Sequence, residues 1–289
     1  MSTADYGQGQ WQSDDGLKLH YRDYAGRDDR PPLLCIPGLT RNARDFEPVA
    51  DAFAGEWRVL CVDLRGRGDS DYAKDSATYN PLQYVADLQA FFTQVGIDRA
   101  VLVGTSLGGL ITMVMAMQSP ERIAGAVIND IGPVIETDGL ERIKDYVGQG
   151  RSYPTWMHAA RALMETSGTA YPDFELSDWL VFAKKLMCVT NNGRIAFDYD
   201  MKIAEPFAAP AAETAAVDMW PAWRALAGRP LLALRGELSD LLSAETFQRM
   251  GAELPAAELV QIARVGHAPT LEEPEAQAAI ARLLAKVAG

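Results

Sequence analysis

Short apolar runs that stop at turn residues recur along the chain: PLLCIP (32–37), WRVLCVD (57–63), AVLVG (100–104), GAVIND (125–130), PLLALRG (230–236) and ELVQIA (258–263). They are too short for buried helices and rich in Val, Leu and Ile, which predicts strands covered on both faces. An earlier segment, LKLHYRDY (17–24), alternates apolar and polar positions and predicts a strand at an exposed sheet edge. Amphipathic patterns stand between the runs. The clearest has Asn80 as N-cap and Pro81 at the first helical position, then Leu82, Val85, Leu88, Phe91, Phe92 and Val95 on one stripe before Gly96. Further helices are expected over 107–118, 243–252 and 274–287. Alternating strands and helices predict an α/β fold: a mostly parallel sheet with helices on both faces and right-handed crossovers. In such sheets ligands bind at the carboxyl ends of the strands.

The rhythm breaks between 134 and 218. There GLERIKDYVG, TWMHAARALMETSG and LSDWLVFAKKLM read as helices with no strands between them, and AEPFAAPAAETAAVD (204–218) reads as a connecting segment. The expectation is a helical cap inserted at 134–218 above a core made of 1–133 and 219–289.

A chain of 289 residues with this apolar content can bury a sizeable core without staples. The 39 acidic and 27 basic residues leave a net charge of −12, a field that repels nucleic-acid backbones and anionic lipid. Cys35, Cys61 and Cys188 form no CxxC pair, and the first two sit inside apolar runs, as core thiols in a reducing compartment do. The first residues lack the basic and apolar regions of a leader, and no long apolar stretch follows, so the expectation is a cytoplasmic protein with no membrane partner.

The chemistry is concentrated in VLVGTSLGGL. Gly104-Thr105-Ser106-Leu107-Gly108 fits G-x-S-x-G directly after a strand and directly before a helix, the context in which a serine hydroxyl projects from a strained turn. A serine near neutral pH needs an imidazole to take its proton. Of His20, His158 and His267, only His267 stands in a loop after the last strand, ARVGHAPTLEEPE. His20 reads as structural, and His158 as structural or pocket-lining. A carboxylate that fixes the imidazole tautomer should lie between serine and histidine in chain order. Asp240, in GELSDLLS after a strand, fits best; Glu237 and Asp130 are the alternatives. Acyl transfer also needs two backbone donors for the oxyanion, for which Leu107 and Leu39 are the candidates.

These segments, in the order oxyanion loop, nucleophile elbow, acid loop and histidine loop, resemble the α/β-hydrolase fold superfamily over nearly the whole chain. The resemblance implies an eight-stranded, mainly parallel sheet whose second strand is antiparallel, with 134–218 as a variable helical lid. It also implies that Asp63, Arg65 and Arg67 of VDLRGRGDSD hold loops together rather than react. Many relatives have His-Gly in the oxyanion loop where this chain has Pro37-Gly38, a change that spares the backbone donor. Dehalogenases and epoxide hydrolases of the fold carry aspartate at the elbow, so Ser106 points away from both.

The expected activity is hydrolysis of a carboxylic ester or lactone in a small, largely apolar molecule, with no metal or cofactor. Trp156 and Trp179 of the inserted segment are candidate pocket residues, and Arg41 and Arg44 are either surface residues or contacts for a substrate carboxylate. The same triad supports carbon–carbon bond hydrolysis of ring-cleavage products and cofactor-free perhydrolysis, and a ligand-sensing protein of the same fold is the non-enzymatic alternative. Nothing in the sequence indicates the oligomeric state.

Overall fold

A computed structural model describes residues 4–208 and 218–289. In chain order the strands are β1 (Gly7–Gln12), β2 (Lys18–Tyr24), β3 (Leu33–Ile36), β4 (Val59–Val62), β5 (Ala100–Thr105), β6 (Ile123–Asn129), β7 (Ser152–Tyr153), β8 (Met187–Val189), β9 (Ile195–Phe197), β10 (Leu231–Gly236) and β11 (Glu258–Ile262). The α-helices are α1 (Glu47–Phe53), α2 (Pro81–Val95), α3 (Leu107–Gln118), α4 (Thr137–Tyr146), α5 (Trp156–Ser167), α6 (Leu176–Leu186), α7 (Glu205–Ala208), α8 (Trp220–Arg224), α9 (Ala244–Glu253) and α10 (Pro274–Ala288). Most of the 204–218 connecting segment, residues 209–217, lies outside the described residues.

Eight strands form one sheet in the order β1-β2-β4-β3-β5-β6-β10-β11. β2 runs antiparallel to both neighbours, and the other pairs are parallel. The fold is that of the α/β hydrolases, as the resemblance implied. Local signals explain why the helices begin and end where they do. Asn80 Oδ1 accepts the Gln83 N–H at 3.0 Å, Pro81 opens α2, and Gly96 closes it at φ 71°. The buried stripe of α2, Tyr84, Val85, Leu88, Phe91 and Phe92, joins the larger apolar core, and burial of each of these side chains contributes about 1.5–3 kcal/mol. On the opposite face of the sheet, α1 and α10 cover a second core containing Val101, Val103, Ile280 and Leu283.

Two expectations are corrected here. β2 is not an edge strand, because β1 lies outside it. Two polar residues of β2 are instead buried with partners: His20 Nδ1 on Asp63 at 2.7 Å, and Arg22 on Glu47 at 2.9 Å. β1, in GQGQWQ, offered one large apolar residue, Trp11, which is 3% exposed and meets Phe91 edge-on. The inserted segment also has strands as well as helices, since β7, β9 and β8 make a small antiparallel sheet. At two or three residues each, these strands are too short to give a pattern.

The segment after β4 fastens loops, as expected of it. Asp63 accepts the Ala43 N–H at 2.7 Å, and Arg67 donates to the Leu39 carbonyl at 2.8 Å. The guanidinium of Arg65, wholly buried, holds two carboxylates at once. Its Nε and Nη2 donate to Asp87, both at 2.7 Å, while Nη1 and Nη2 donate to Asp15 at 2.9 and 3.0 Å.

Candidate active site

β5 ends at Thr105 and α3 begins at Leu107, so one residue makes the whole turn. Ser106 adopts φ 53°, ψ −113°, a conformation an L-residue holds only under strain. The turn is this tight because two glycines let the chain close on itself. A Cβ on Gly108 would stand 2.0 Å from the Ile36 carbonyl oxygen, and one on Gly104 would stand 2.4 Å from Gly108. The adjacent parallel strand ends in the same register, with Thr105 opposite Asn129, and the Ser106 N–H donates to the Asn129 carbonyl at 2.9 Å. The next residue on that strand, Asp130, therefore stands beside the nucleophile elbow, also at positive φ, 55°.

His267 joins the two. Its Nε2 lies 2.9 Å from Ser106 Oγ and its Nδ1 lies 2.7 Å from Asp130 Oδ2. This corrects the choice of acid: Asp240 is not the imidazole's partner. It lies beyond the end of β10, in a loop that turns toward α4, and forms a bidentate pair with Arg142 at 2.5 and 2.9 Å. Burial opposes ionisation of Asp240, but the bonds and charge of Arg142 hold its carboxyl below the usual value. Glu237 instead accepts the Arg264 N–H at 2.7 Å.

The hydrogen bonds around Asp130 fix where the protons are. Ser239 Oγ accepts the N–H groups of Leu241 and Leu242 at 3.3 and 3.2 Å, so its own hydrogen points to Asp130 Oδ2, 2.7 Å away. Oδ1 accepts the Gly236 N–H, also at 2.7 Å. With hydroxyl and amide donors on its two oxygens, the buried carboxylate acts as an acceptor toward the ring as well. Nδ1 of His267 then carries the proton, and bare Nε2 faces the serine hydroxyl. Ser239 escaped sequence reasoning because nothing local marks a serine that serves a carboxylate more than a hundred positions away.

The histidine loop is held from both sides. Asn129 Nδ2 donates to Thr105 Oγ1 and to the Pro269 carbonyl, at 3.1 and 2.9 Å. From the inserted segment, Tyr171 donates its hydroxyl to the Ala268 carbonyl at 2.8 Å.

Ser106 and His267 open onto a cavity of about 730 Å³ between the strand ends and the inserted segment. Leu39, Phe46, Leu163, Phe174, Phe182 and Leu186 supply apolar wall, while Arg41, Arg142 and Tyr146 supply polar wall. Burial pushes the Tyr146 and Tyr171 phenols above their ordinary value, which keeps both hydroxyls neutral. Leu39 lines the cavity, and its N–H has no backbone acceptor among the described residues. Leu107 opens α3, where the first amides have no partner within the helix.

Other expected site residues lie elsewhere. Trp179, 1% exposed, packs against Tyr171, Phe174 and Phe182, and its cluster includes Trp156 at the margin; neither indole is part of the cavity wall. Their helical spacing reflected the interior of the inserted segment. Arg44 is spent on Asp198 and the Lys185 carbonyl, and His158 on Thr155. His20, Asp63 and Asp69 come within metal-ligand spacing of one another, yet His20 Nδ1 and both Asp63 oxygens already serve protein partners. Among the described residues no helix is long and apolar enough to cross a membrane.

Comparisons with known proteins agree with this architecture. The family model for the alpha/beta hydrolase family matches residues 33–280. The chain is 32% identical to a 3-hydroxybutyrate-oligomer hydrolase of Cupriavidus necator, over 91% of each chain. It is 26% identical to a 2-(acetamidomethylene)succinate hydrolase of Mesorhizobium japonicum, over 85% of this chain and 84% of that one. A solved alpha/beta hydrolase from Novosphingobium aromaticivorans is 60% identical and superposes with a TM-score of 0.94, covering 99% of this chain and 100% of that one. Fold, elbow geometry and these likenesses converge, and the chain belongs to the alpha/beta hydrolase family.

Proposed function

We propose that this protein hydrolyses carboxylic esters or lactones of small molecules through an acyl-enzyme on Ser106. The observation that carries the reading is the unbroken relay from Ser106 Oγ to His267 Nε2 at 2.9 Å and from His267 Nδ1 to Asp130 at 2.7 Å, at the wall of a cavity of about 730 Å³. His267 Nε2 takes the serine proton as Oγ adds to the ester carbonyl, and Asp130 stabilises the imidazolium that results. The negative charge on the former carbonyl oxygen is held by the N–H groups of Leu107 and Leu39, each worth about 2.7–4 kcal/mol to the transition state. Protonated Nε2 then returns its proton to the departing alkoxide, and water repeats the sequence to release the acid. The inserted segment acts as a cap: it contributes residues to the cavity wall, and through Tyr171 it steadies the histidine loop.

The linkage favoured is the ester, because the relative named for 3-hydroxybutyrate oligomers matches across 91% of both chains and ester bonds join such units. Carbon–carbon hydrolysis of ring-cleavage products, which the same Ser–His–Asp relay supports, is the second reading. Rates on short 4-nitrophenyl esters and on ring-cleavage diketones, with Ser106→Ala as control, test both. Faster turnover of esters, lost in Ser106→Ala, is the expected result; equal rates in the two proteins overturn it.

A further inference from the structure

We infer that Arg41 is an anchor for a free carboxylate, so that the substrates are esters carrying a carboxylate elsewhere in the molecule; this rests on the ester-hydrolase reading of the same cavity. Arg41 belongs to the loop that follows β3. Its stem lies against Gly38, where an added Cβ would be 3.3 Å from Arg41 Cγ and 3.7 Å from Ser106 Cβ. The guanidinium therefore reaches into the cavity from a point next to the nucleophile, and it lies face-on over Phe182, its Cζ 4.5 Å from the ring centroid.

Only one edge of that guanidinium is used. Nε and Nη2 hold Asp45 at 2.5 and 2.8 Å, whereas Nη1 has no hydrogen-bond partner among the described residues. A planar guanidinium offers a second edge, Nη1 with the remaining Nη2 hydrogen, in the fork geometry that fits a carboxylate. The same chain shows that one arginine can fill both edges with carboxylates. In Arg65 the Nε/Nη2 edge is on Asp87 and the Nη1/Nη2 edge is on Asp15. Arg41 repeats the first half of that arrangement, and as a residue of the cavity wall it has the second half without a protein partner among the described residues. Asp45 thus orients Arg41 and leaves the anion seat open.

Arg142 has a similar spare edge beyond its pair with Asp240. Its side chain is 40% exposed, against 21% for Arg41, so water competes for it more strongly. Tyr146 and Tyr171 near both arginines are neutral phenols, and of the carboxylates in the cavity wall Asp45, Asp240 and Glu272 are each paired with a cation, Arg41, Arg142 and Lys185, which leaves Asp145 and Asp178 as the acids that an anion must avoid.

The experiment compares acetate release from 4-acetoxybutyrate, 5-acetoxypentanoate and 6-acetoxyhexanoate with release from the matching carboxamides. Wild-type protein should prefer a carboxylate to its amide by about tenfold or more in kcat/KM for at least one chain length. Arg41→Met should collapse that ratio toward one. Arg41→Lys, which keeps the charge without the fork, should give an intermediate ratio and covers the case in which the methionine variant does not fold. Asp45→Asn should raise the ratio, because the guanidinium then has no resident anion; a merely structural Arg41–Asp45 pair would lower turnover of both substrate series alike. Calorimetric titration of hexanoate and hexanamide into Ser106→Ala reads the anchor without turnover. Hexanoate binding that is lost when Arg41→Met is added supports the anchor even if no ester is cleaved, in which case the ester reading alone fails. No preference at any chain length in wild type, together with hexanoate binding unaffected by Arg41→Met, overturns the inference.

Discussion

Replacing Asp130 with Asn keeps the size of the side chain and removes its charge, and the hydrogen bonds around it set the consequence. The carboxylate accepts from Gly236 N–H on one oxygen and from both Ser239 Oγ and His267 Nδ1 on the other. An amide has one acceptor oxygen and one donor nitrogen. The Gly236 amide is fixed in the backbone, so the oxygen of the introduced carboxamide is drawn to it and the NH2 group faces the ring. His267 must then offer a bare Nδ1 and carry its proton on Nε2, against the serine hydroxyl it is meant to deprotonate. In a Ser–His–Asp protease the same change lowers kcat about 10⁴-fold, and a loss of ~10³–10⁴ is expected here, about 4–5.5 kcal/mol of transition-state stabilisation. Asp240→Asn gives the contrast. It removes a pair whose members are 39% and 40% exposed, worth less than ~1 kcal/mol to stability, and should change kcat/KM by less than about fivefold. The assay is kcat/KM on a 4-nitrophenyl ester, with circular dichroism to verify folding. Equal damage from the two substitutions, or an Asp130→Asn protein retaining more than about a tenth of its activity, would refute the tautomer argument.

Three further outcomes follow from the geometry. Ser239→Ala takes one donor from Asp130 and leaves the Leu241 and Leu242 amides without their acceptor; kcat/KM should fall about tenfold and stability by about 1–3 kcal/mol, read by urea denaturation. Gly108→Ala puts a methyl group 2.0 Å from the Ile36 oxygen, so thermal unfolding should show a loss of about 3 kcal/mol or more, or no folded protein. Burial raises the Tyr24 phenol from 10.0 to about 12, so its neutral form favours the fold: that stability is complete below pH 10 and is lost as pH rises toward 12, at up to about 1.4 kcal/mol per unit. Denaturation midpoints of Tyr24→Phe should therefore fall less steeply across that window than those of the wild type.

The sheet was legible wherever a strand had apolar residues on both faces, because burial there leaves no polar position to confuse the pattern. α2 was legible nearly to the residue, since Asn80, Pro81 and Gly96 mark its ends by their own backbone preferences. β2 misled because alternation is read as exposure, whereas two of its polar residues, His20 and Arg22, found Asp63 and Glu47 inside the protein. His267 could be located because the chain has only three histidines, and the elbow because its glycine–serine spacing sits between a strand and a helix, a local context. The acid could not be decided locally. Asp130 and Asp240 both follow strands, and the difference lies in register: Asp130 is one step past Asn129, which pairs with the residue before Ser106. Trp156 and Trp179 show the same limit, because helical spacing says that a face is buried and not what it is buried against.

The proposed chemistry depends above all on the reactivity of one hydroxyl. Intact-mass and peptide mass spectrometry after exposure to a fluorophosphonate should find a single adduct on the peptide bearing Ser106. The rate of adduct formation should drop about 10²-fold or more in His267→Ala and remain near wild type in Asp240→Asn. An adduct on another residue, no adduct at all, or labelling of Ser106 that is indifferent to His267 would contradict the proposed relay.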